Sequence, residues 1–431
     1  MSDKLSIRIE PITRIEGHGA IVLNAKNGNI EEIKWEIIEA PRFFESIVLG
    51  KKFDYIDQIT SRICGICSIG HSLAALKAVE NAMEIEISEQ SLLLRKLALH
   101  GENIQSHILH VGYLVAPDLF GVPSVLPLVK SNPEAVKKII SIHKMANLLC
   151  DVVCGRTTHP ITMCVGGFKK IPSIEKLKFL RGAIDKEFTN LKGVVSIIFS
   201  SLKKIPVFNR ETEYIALKSD NEYALYDGAI FSSDTGKINM EDYENIVNEY
   251  TVEHSTAKYT KHNRDAYMVG ALARFNINCD FLHNLAKNIA KRANLISPCY
   301  NPFMNTIAQL VEIAHSMEDA IFIIDMLLDN YIFDERIDIK VKPGRGISAV
   351  EVPRGILFHD YTIDENGICV KANCVIPTNQ NHANIQKDME CLAPTIISKD
   401  KEEIEHTLEM LVRAYDPCVS CSTHYLKVNY K

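Results

Sequence analysis

The chain has 431 residues, 46% of them hydrophobic and 24% charged, with a net charge of −6. These values fit a soluble globular protein with a substantial core and exclude a nucleic-acid binder built on a basic face. Twelve cysteines are too few for a disulfide scaffold; they suit a reducing compartment, where thiols hold metals or sit buried.

Met1–Leu5 carries no apolar signal core, and apolar runs such as Ile321–Leu328 are too short to span a bilayer. The expected location is therefore cytoplasmic, with no membrane span. Alternation over Leu5, Ile7 and Ile9 predicts a strand at 5–10. Two apolar runs flanking Asn27-Gly28 predict a hairpin over 20–38. Between them, Arg14-Ile15-Glu16-Gly17-His18 packs a cation, a carboxylate and an imidazole into five residues, which composition alone reads as a solvated turn. After Ala40-Pro41 the period becomes helical, predicting helices at 43–49, 70–82, 88–115, 132–154 and 174–202. Residues 205–240 are polar and turn-rich, as expected of a surface stretch. Helices follow at 241–250, 264–276, 280–293 and 301–329. Lys342–Gly346 breaks that run; short strands at 347–352, 355–361 and 367–376 precede helices at 378–390 and 400–414. His100, His107 and His110 lie on or beside an apolar helix face and read as core or interface residues. The expected fold is mainly α: a large helical-bundle body, one domain over 1–431, with one small mixed β-sheet formed by the N-terminal hairpin and the strands near 347–376.

Two short motifs carry the chemistry. Arg62-Ile63-Cys64-Gly65-Ile66-Cys67 and Asp416-Pro417-Cys418-Val419-Ser420-Cys421 each present a Cys-x-x-Cys, which aims two thiolates at one ion. Together they make a four-thiolate site if the fold joins the ends. Four readings compete: structural zinc, weakened by the roughly 350 intervening residues; an iron–sulfur cluster; a dithiol redox pair, which leaves one motif unexplained; and a redox-active transition metal such as nickel or iron. Spacing does not separate the second from the fourth. Four thiolates on a divalent ion leave a doubly negative unit that is costly to bury without cations, for which Arg62 and Arg354 are candidates. A carboxylate such as Glu16 near a thiolate would relay protons. A metal, a pendant base and a proton path are what heterolytic cleavage of dihydrogen requires.

Five blocks stand in order: Arg14–His18; Arg62–Cys67 with His71; Gly155-Arg156 with His159-Pro160 and Gly166-Gly167; Pro353-Arg354-Gly355; and Asp416–Cys421 with His424. In these the chain resembles the large, catalytic subunit of the nickel–iron hydrogenases along nearly its whole length. Ser88-Glu89-Gln90, His100–Ile104 with Ser106-His107, and Pro377–Asn381 add similarity to the soluble, cofactor-coupled group, especially the NADP-linked sulfhydrogenase type.

The resemblance implies reversible cleavage of dihydrogen to protons and electrons. Cys64 and Cys418 would be terminal nickel thiolates; Cys67 and Cys421 would bridge nickel to an iron carrying carbon monoxide and cyanide, Fe(CN)2(CO). Cys418 would accept the proton and Glu16 would relay it. Arg354 would hang over the metals, held by Asp118 and Asp416. Pro353 and Leu357 would shape the iron-ligand pocket, Thr378 would hydrogen-bond a cyanide, and His71 would stand behind the first pair. Glu45, the Cys374 carbonyl and His424 would bind magnesium or a similar ion. The tail 425–431 would be removed by a maturation protease once nickel-insertion factors have acted. Electrons would leave through an iron–sulfur small subunit and then flavin subunits of a diaphorase to NAD(P), in a hetero-oligomer. The alternatives are coupling to a deazaflavin or to a ferredoxin and disulfide reductase, a quinone-binding relative (which would lack the four cysteines), and a structural four-cysteine metal protein. Cys150, Cys154, Cys164, Cys279, Cys299, Cys369 and Cys391 take no role in the resemblance and are expected to be buried apolar thiols.

Overall fold

The computed structural model describes residues 4–330, 333–335 and 339–423. The chain opens with β1 (Lys4–Ile9), β2 (Gly19–Lys26) and β3 (Asn29–Ile37), an antiparallel meander. Asn27 and Gly28 both take positive φ and form the two-residue turn between β2 and β3. Strand alternation turns Ile21, Leu23, Trp35 and Ile37 into the core.

Helices then dominate: α1 (Phe44–Val48), α2 (Ser68–Met83), α3 (Glu89–Leu109), α4 (Pro133–Cys154) and α5 (Ile174–Ser200). The Ser88 side chain caps α3 by accepting from the Ser91 N–H. Past α3 the chain widens into a π-turn, His110–Val115, before a short helix, Ala116–Phe120. Next come β4 (Glu213–Lys218), β5 (Ala229–Ser232), β6 (Gly236–Ile238) and β7 (Tyr267–Met268), then α6 (Ala271–Asn278), α7 (Asn284–Arg292) and α8 (Asn305–Asn330). A second antiparallel meander, β8 (Gly344–Val352), β9 (Gly355–Ile363) and β10 (Cys369–Val375), leads to α9 (Pro377–Ile396) and α10 (Lys401–Ala414). Helices α3, α4, α5 and α8 pack on one another as the helical body, while β8 and β9 lie on α2. No single helix among the described residues is long and apolar enough to cross a membrane.

The mainly α class holds, but the one mixed sheet does not. The N-terminal hairpin and the strands near 347–376 form two separate antiparallel sheets. Each is a meander whose successive strands are joined by short turns, and local pairing completes it before a distant edge can compete. Residues 205–240 are a surface stretch only in part: β4 is buried along nearly its whole length within a four-stranded sheet, β7-β4-β5-β6. Its inward carboxylate, Glu213, is satisfied by the Ser232 hydroxyl, His262 Nδ1 and the Asn263 N–H. The expected helix at 241–250 is one turn, Tyr243–Ile246, followed by a strand at Asn248–Tyr250. That at 264–276 begins only at Ala271. Among the remaining thiols Cys391 is exposed and Cys164, Cys279 and Cys299 only partly buried, so the expectation of buried thiols fails for these four.

Candidate metal centre

The two cysteine motifs meet. Cys67 occupies the N-cap position of α2, so Cys64 and Cys67 sit in the turn entering that helix. Cys418 and Cys421 follow α10. One sulfur from each of the four lies within 4.8 Å of the others, and all four residues are buried. Cys64 Sγ stands 3.7 Å from Cys418 Sγ, and Cys418 and Cys421 are joined as a disulfide. Arg42 clamps the two ends together. Its guanidinium donates to the carbonyls of Ile63 (2.7 Å) and Ser420 (2.5 Å), and its N–H donates to the Thr423 carbonyl.

The thiols of the first pair are not equivalent. Burial opposes ionisation of Cys64, yet the hydrogen bond from Cys67, the charge of Arg354, and N–H groups of Cys67 and Ile66 at 3.1 and 3.2 Å lower its pKa. The same hydrogen bond, then burial, pushes Cys67 well up. Arg354 is the buried cation beside them, at 3% exposure; Arg62 is exposed. Burial disfavours the Arg354 charge, but Asp416, Cys67 and Cys64 outweigh it and raise its pKa.

Arg354 Nη2 donates to Asp416 Oδ1 at 2.8 Å and its Nε to the Asp416 carbonyl at 2.6 Å; Gln309 holds the other carboxylate oxygen. Asp118 does not join this pair. It is bound instead by Arg14 and by Arg413 Nη1 (2.5 Å). The π-turn at His110–Val115 adds residues to one turn and so rotates the following helix away from the face that a regular period predicts. Asp118 then meets cations of the N-terminal loop and α10, and Arg354 is held by Asp416 and, through Nη1, by the Ser106 hydroxyl at 3.4 Å.

Glu16 lies beside the second pair. Its carbonyl accepts from the Val419 N–H (3.0 Å); its carboxylate accepts from the Ser420 hydroxyl (2.5 Å) and the Ser420 N–H (3.1 Å). Gly17, at φ +83°, is what allows this approach: a Cβ there would fall 2.8 Å from Ser420 N. Thr378 Oγ1 accepts from the Cys418 N–H at 3.0 Å. Pro353 and Leu357 are buried at the β8–β9 turn and on β9. The Pro353 carbonyl is held by Arg274, which is itself paired with Glu312 and Glu351. His71 Nδ1 faces His359 Nε2 at 3.2 Å. Glu45 is buried and accepts from the Cys374 N–H at 2.9 Å, bringing two of the three expected magnesium-site residues together. His424 and the tail 425–431 lie outside the described residues.

Sequence reasoning missed Arg42, Ser420, Arg274 and Glu102. Glu102, on α3, accepts from the N–H groups of Ile69 and Gly70 and so pins the first turn of α2. Burial pushes it up to about 8, with those N–H groups opposing. Its only signal was a place in the His100–Ile104 block.

Four buried sulfurs, a buried guanidinium and a carboxylate braced beside one cysteine define a thiolate-ligated metal-enzyme centre. The chain belongs to the nickel-dependent hydrogenase family, whose model matches residues 42–149 and 218–424; a second model, HoxL-like, matches residues 6–40. It is 33% identical to sulfhydrogenase 1 subunit alpha of Pyrococcus furiosus over 98% of this chain and 99% of that protein. It is 28% identical to the NAD-reducing hydrogenase HoxS subunit beta of Cupriavidus necator, over 99% and 96%. Among solved structures, an NAD+-reducing [NiFe]-hydrogenase in the H2-reduced state superposes with a TM-score of 0.88 at 25% identity, covering 97% of this chain and 99% of that one.

Proposed function

We propose that this chain is the catalytic large subunit of a nickel–iron hydrogenase, converting dihydrogen reversibly into two protons and two electrons. The convergence of four buried cysteine sulfurs beside Arg354 carries this reading. The donor set fits nickel and iron, since soft thiolates select such metals. Ligation requires all four cysteines as thiolates. When bound, the binuclear centre supplies the Lewis-acid and redox chemistry that polarises dihydrogen. The chain's residues then move the proton: Cys418 Sγ accepts it, and Glu16, braced by Ser420, takes it next. Arg354 places a fixed positive charge over the site, in a surrounding where it costs no reorganisation.

In the same proposal Pro353 and Leu357 would wall the pocket for an iron carrying carbon monoxide and cyanide. Thr378, whose hydroxyl accepts from the Cys418 N–H and keeps a proton to donate, would hydrogen-bond a cyanide. Glu45, the Cys374 carbonyl and His424 would hold magnesium or a similar ion. The segment entering the first cysteine pair exposes Ile38, Phe43, Ile47, Leu49 and Tyr55, an apolar surface that suits an iron–sulfur small subunit. The similarity to an NAD-reducing enzyme supports onward transfer through diaphorase subunits to NAD(P).

The test is an infrared spectrum of the anaerobically purified, nickel-replete complex. Bands in the window of metal-bound carbon monoxide and cyanide, shifting under dihydrogen, are expected. A blank window refutes the reading. The mass of the same subunit tests removal of 425–431: a full-length mass with full activity excludes it.

A further inference from the structure

A second cluster of metal-binding side chains lies where α3, α7 and α8 meet. We propose that His283, His315 and Asp319 bind a divalent transition-metal ion of zinc's class, separate from the four cysteines. One donor atom from each lies within 4.8 Å of the others. His315 and Asp319 stand four residues apart on α8 and so share a face. His283 occupies the N-cap position of α7; its ring stacks on His315 with centroids 4.8 Å apart, and its N–H donates to His315 Nδ1 at 3.3 Å.

The carboxylate is already oriented. Asp319 Oδ1 faces His283 Nε2 at 2.9 Å, while Oδ2 faces His100 Nε2 at 2.7 Å. An ion takes the place of the proton between His283 and Oδ1, and His100 keeps its hold on Oδ2, as the outer partners of ligating carboxylates do. Glu318 fixes the geometry by accepting from the N–H groups of Leu285 and Ala286, which pins the start of α7 to α8. His315 is buried, whereas the side chains of His283 and Asp319 keep 37% and 26% of their exposure, so an ion enters from solvent and retains water in the remaining position.

The His283 N–H and the Tyr223 ring, 4.7 Å between centroids, fix His315 beside the His100–Asp319–His283 ladder, so the third imidazole is already held in place. Two imidazoles and one carboxylate make a borderline-soft donor set suited to zinc, with bonds of about 2.0–2.2 Å reached by small side-chain rotations.

The test uses the matured complex, treated with a chelator, re-equilibrated with zinc(II) and desalted. Wild type and a C391S control, which lacks the exposed thiol, are expected to retain one zinc per large subunit that H283A and D319N lack. Zinc-edge X-ray absorption is expected to show a nitrogen and oxygen shell with no sulfur. Nickel and iron contents, read in the same samples, report the folding of each variant and the hydrogenase centre independently. Equal zinc in wild type and H283A, or a sulfur-containing shell, overturns the proposal.

Discussion

Gly70 offers a sharp test of how the first cysteine pair is held. It stands three residues after Cys67, in the first turn of α2. A Cβ at this position would lie 2.1 Å from Val352 Cγ1 and 2.8 Å from Glu102 Oε1. Helix propensity alone makes Gly70→Ala stabilising by about 1 kcal/mol. The packing reverses that sign. Overfilling a tight contact costs about 1–3 kcal/mol, and turning Glu102 away from the Ile69 and Gly70 N–H groups costs about 1–3 kcal/mol more. The net expectation is a destabilisation of about 1–5 kcal/mol from these terms. Because Val352 ends β8 beside Pro353-Arg354, relief of the clash moves Cys67 and Arg354 apart, and nickel occupancy falls. Val352→Ala removes the offending γ-carbons, so V352A/G70A is expected to be less damaged than the sum of the singles, by about 1 kcal/mol or more. The assay is a double-mutant cycle on the thermal-inactivation midpoint of the matured complex, with nickel content measured alongside. Additive effects, or G70A with full nickel and an unshifted midpoint, refute the argument.

Ser420→Ala removes the hydroxyl that braces Glu16, a charge-assisted hydrogen bond worth about 1.5–3 kcal/mol. Hydrogen–deuterium exchange catalysed by the enzyme is expected to slow by about 10- to 100-fold at unchanged nickel content; an unaltered exchange rate rules out a positioning role. Asp416→Asn leaves the buried Arg354 charge without its carboxylate, at a cost of about 3 kcal/mol or more. Its turnover per nickel is expected to fall well below that of Asp118→Asn, and equal losses would place both carboxylates on Arg354 after all. Asp57 is pushed by burial from 3.8 to about 6. The folded state therefore holds this proton more tightly than the unfolded chain: stability is full below about pH 4 and declines as pH rises through 6. The displacement corresponds to about 3 kcal/mol at pH 8. Asp57→Asn is expected to raise the unfolding midpoint at pH 8, by about half as much at pH 5, and to leave it near wild type only below about pH 4; parallel pH profiles for the two proteins would contradict this.

The long helices and both meanders were legible because a 3.6 or a 2.0 period with clean stops states itself locally, as at Asn27-Gly28 and Ser88. What failed was non-local. Residues 205–240 looked like surface because their polar groups are visible in sequence while their partners, His262 and Asn263, lie some 50 positions away. Asp118 was assigned to Arg354 by resemblance alone, and nothing in the spelling of His110–Val115 announces the π-turn that precedes it or the Arg14 and Arg413 that bind it. Glu102 was overlooked for a related reason. A glutamate on a long helix reads as solvated unless the helix is known to be enclosed.

The cysteine motifs were readable as donors, but their meeting depended on a joint that no motif encodes. Glu16 and Cys418 form an isolated backbone bridge, and Ser420 donates to the Glu16 side chain from the same turn. The proposed proton acceptor and the proposed relay therefore share one short piece of backbone contact between the β1–β2 loop and the segment that follows α10. A substitution that shifts the Arg14–His18 loop must carry both groups with it, so their separation is preserved while their distance to Cys64 and Arg354 changes. On this reasoning, damage to the N-terminal loop costs metal retention before it costs the proton step, whereas Ser420→Ala, which leaves the backbone bridge intact, does the reverse.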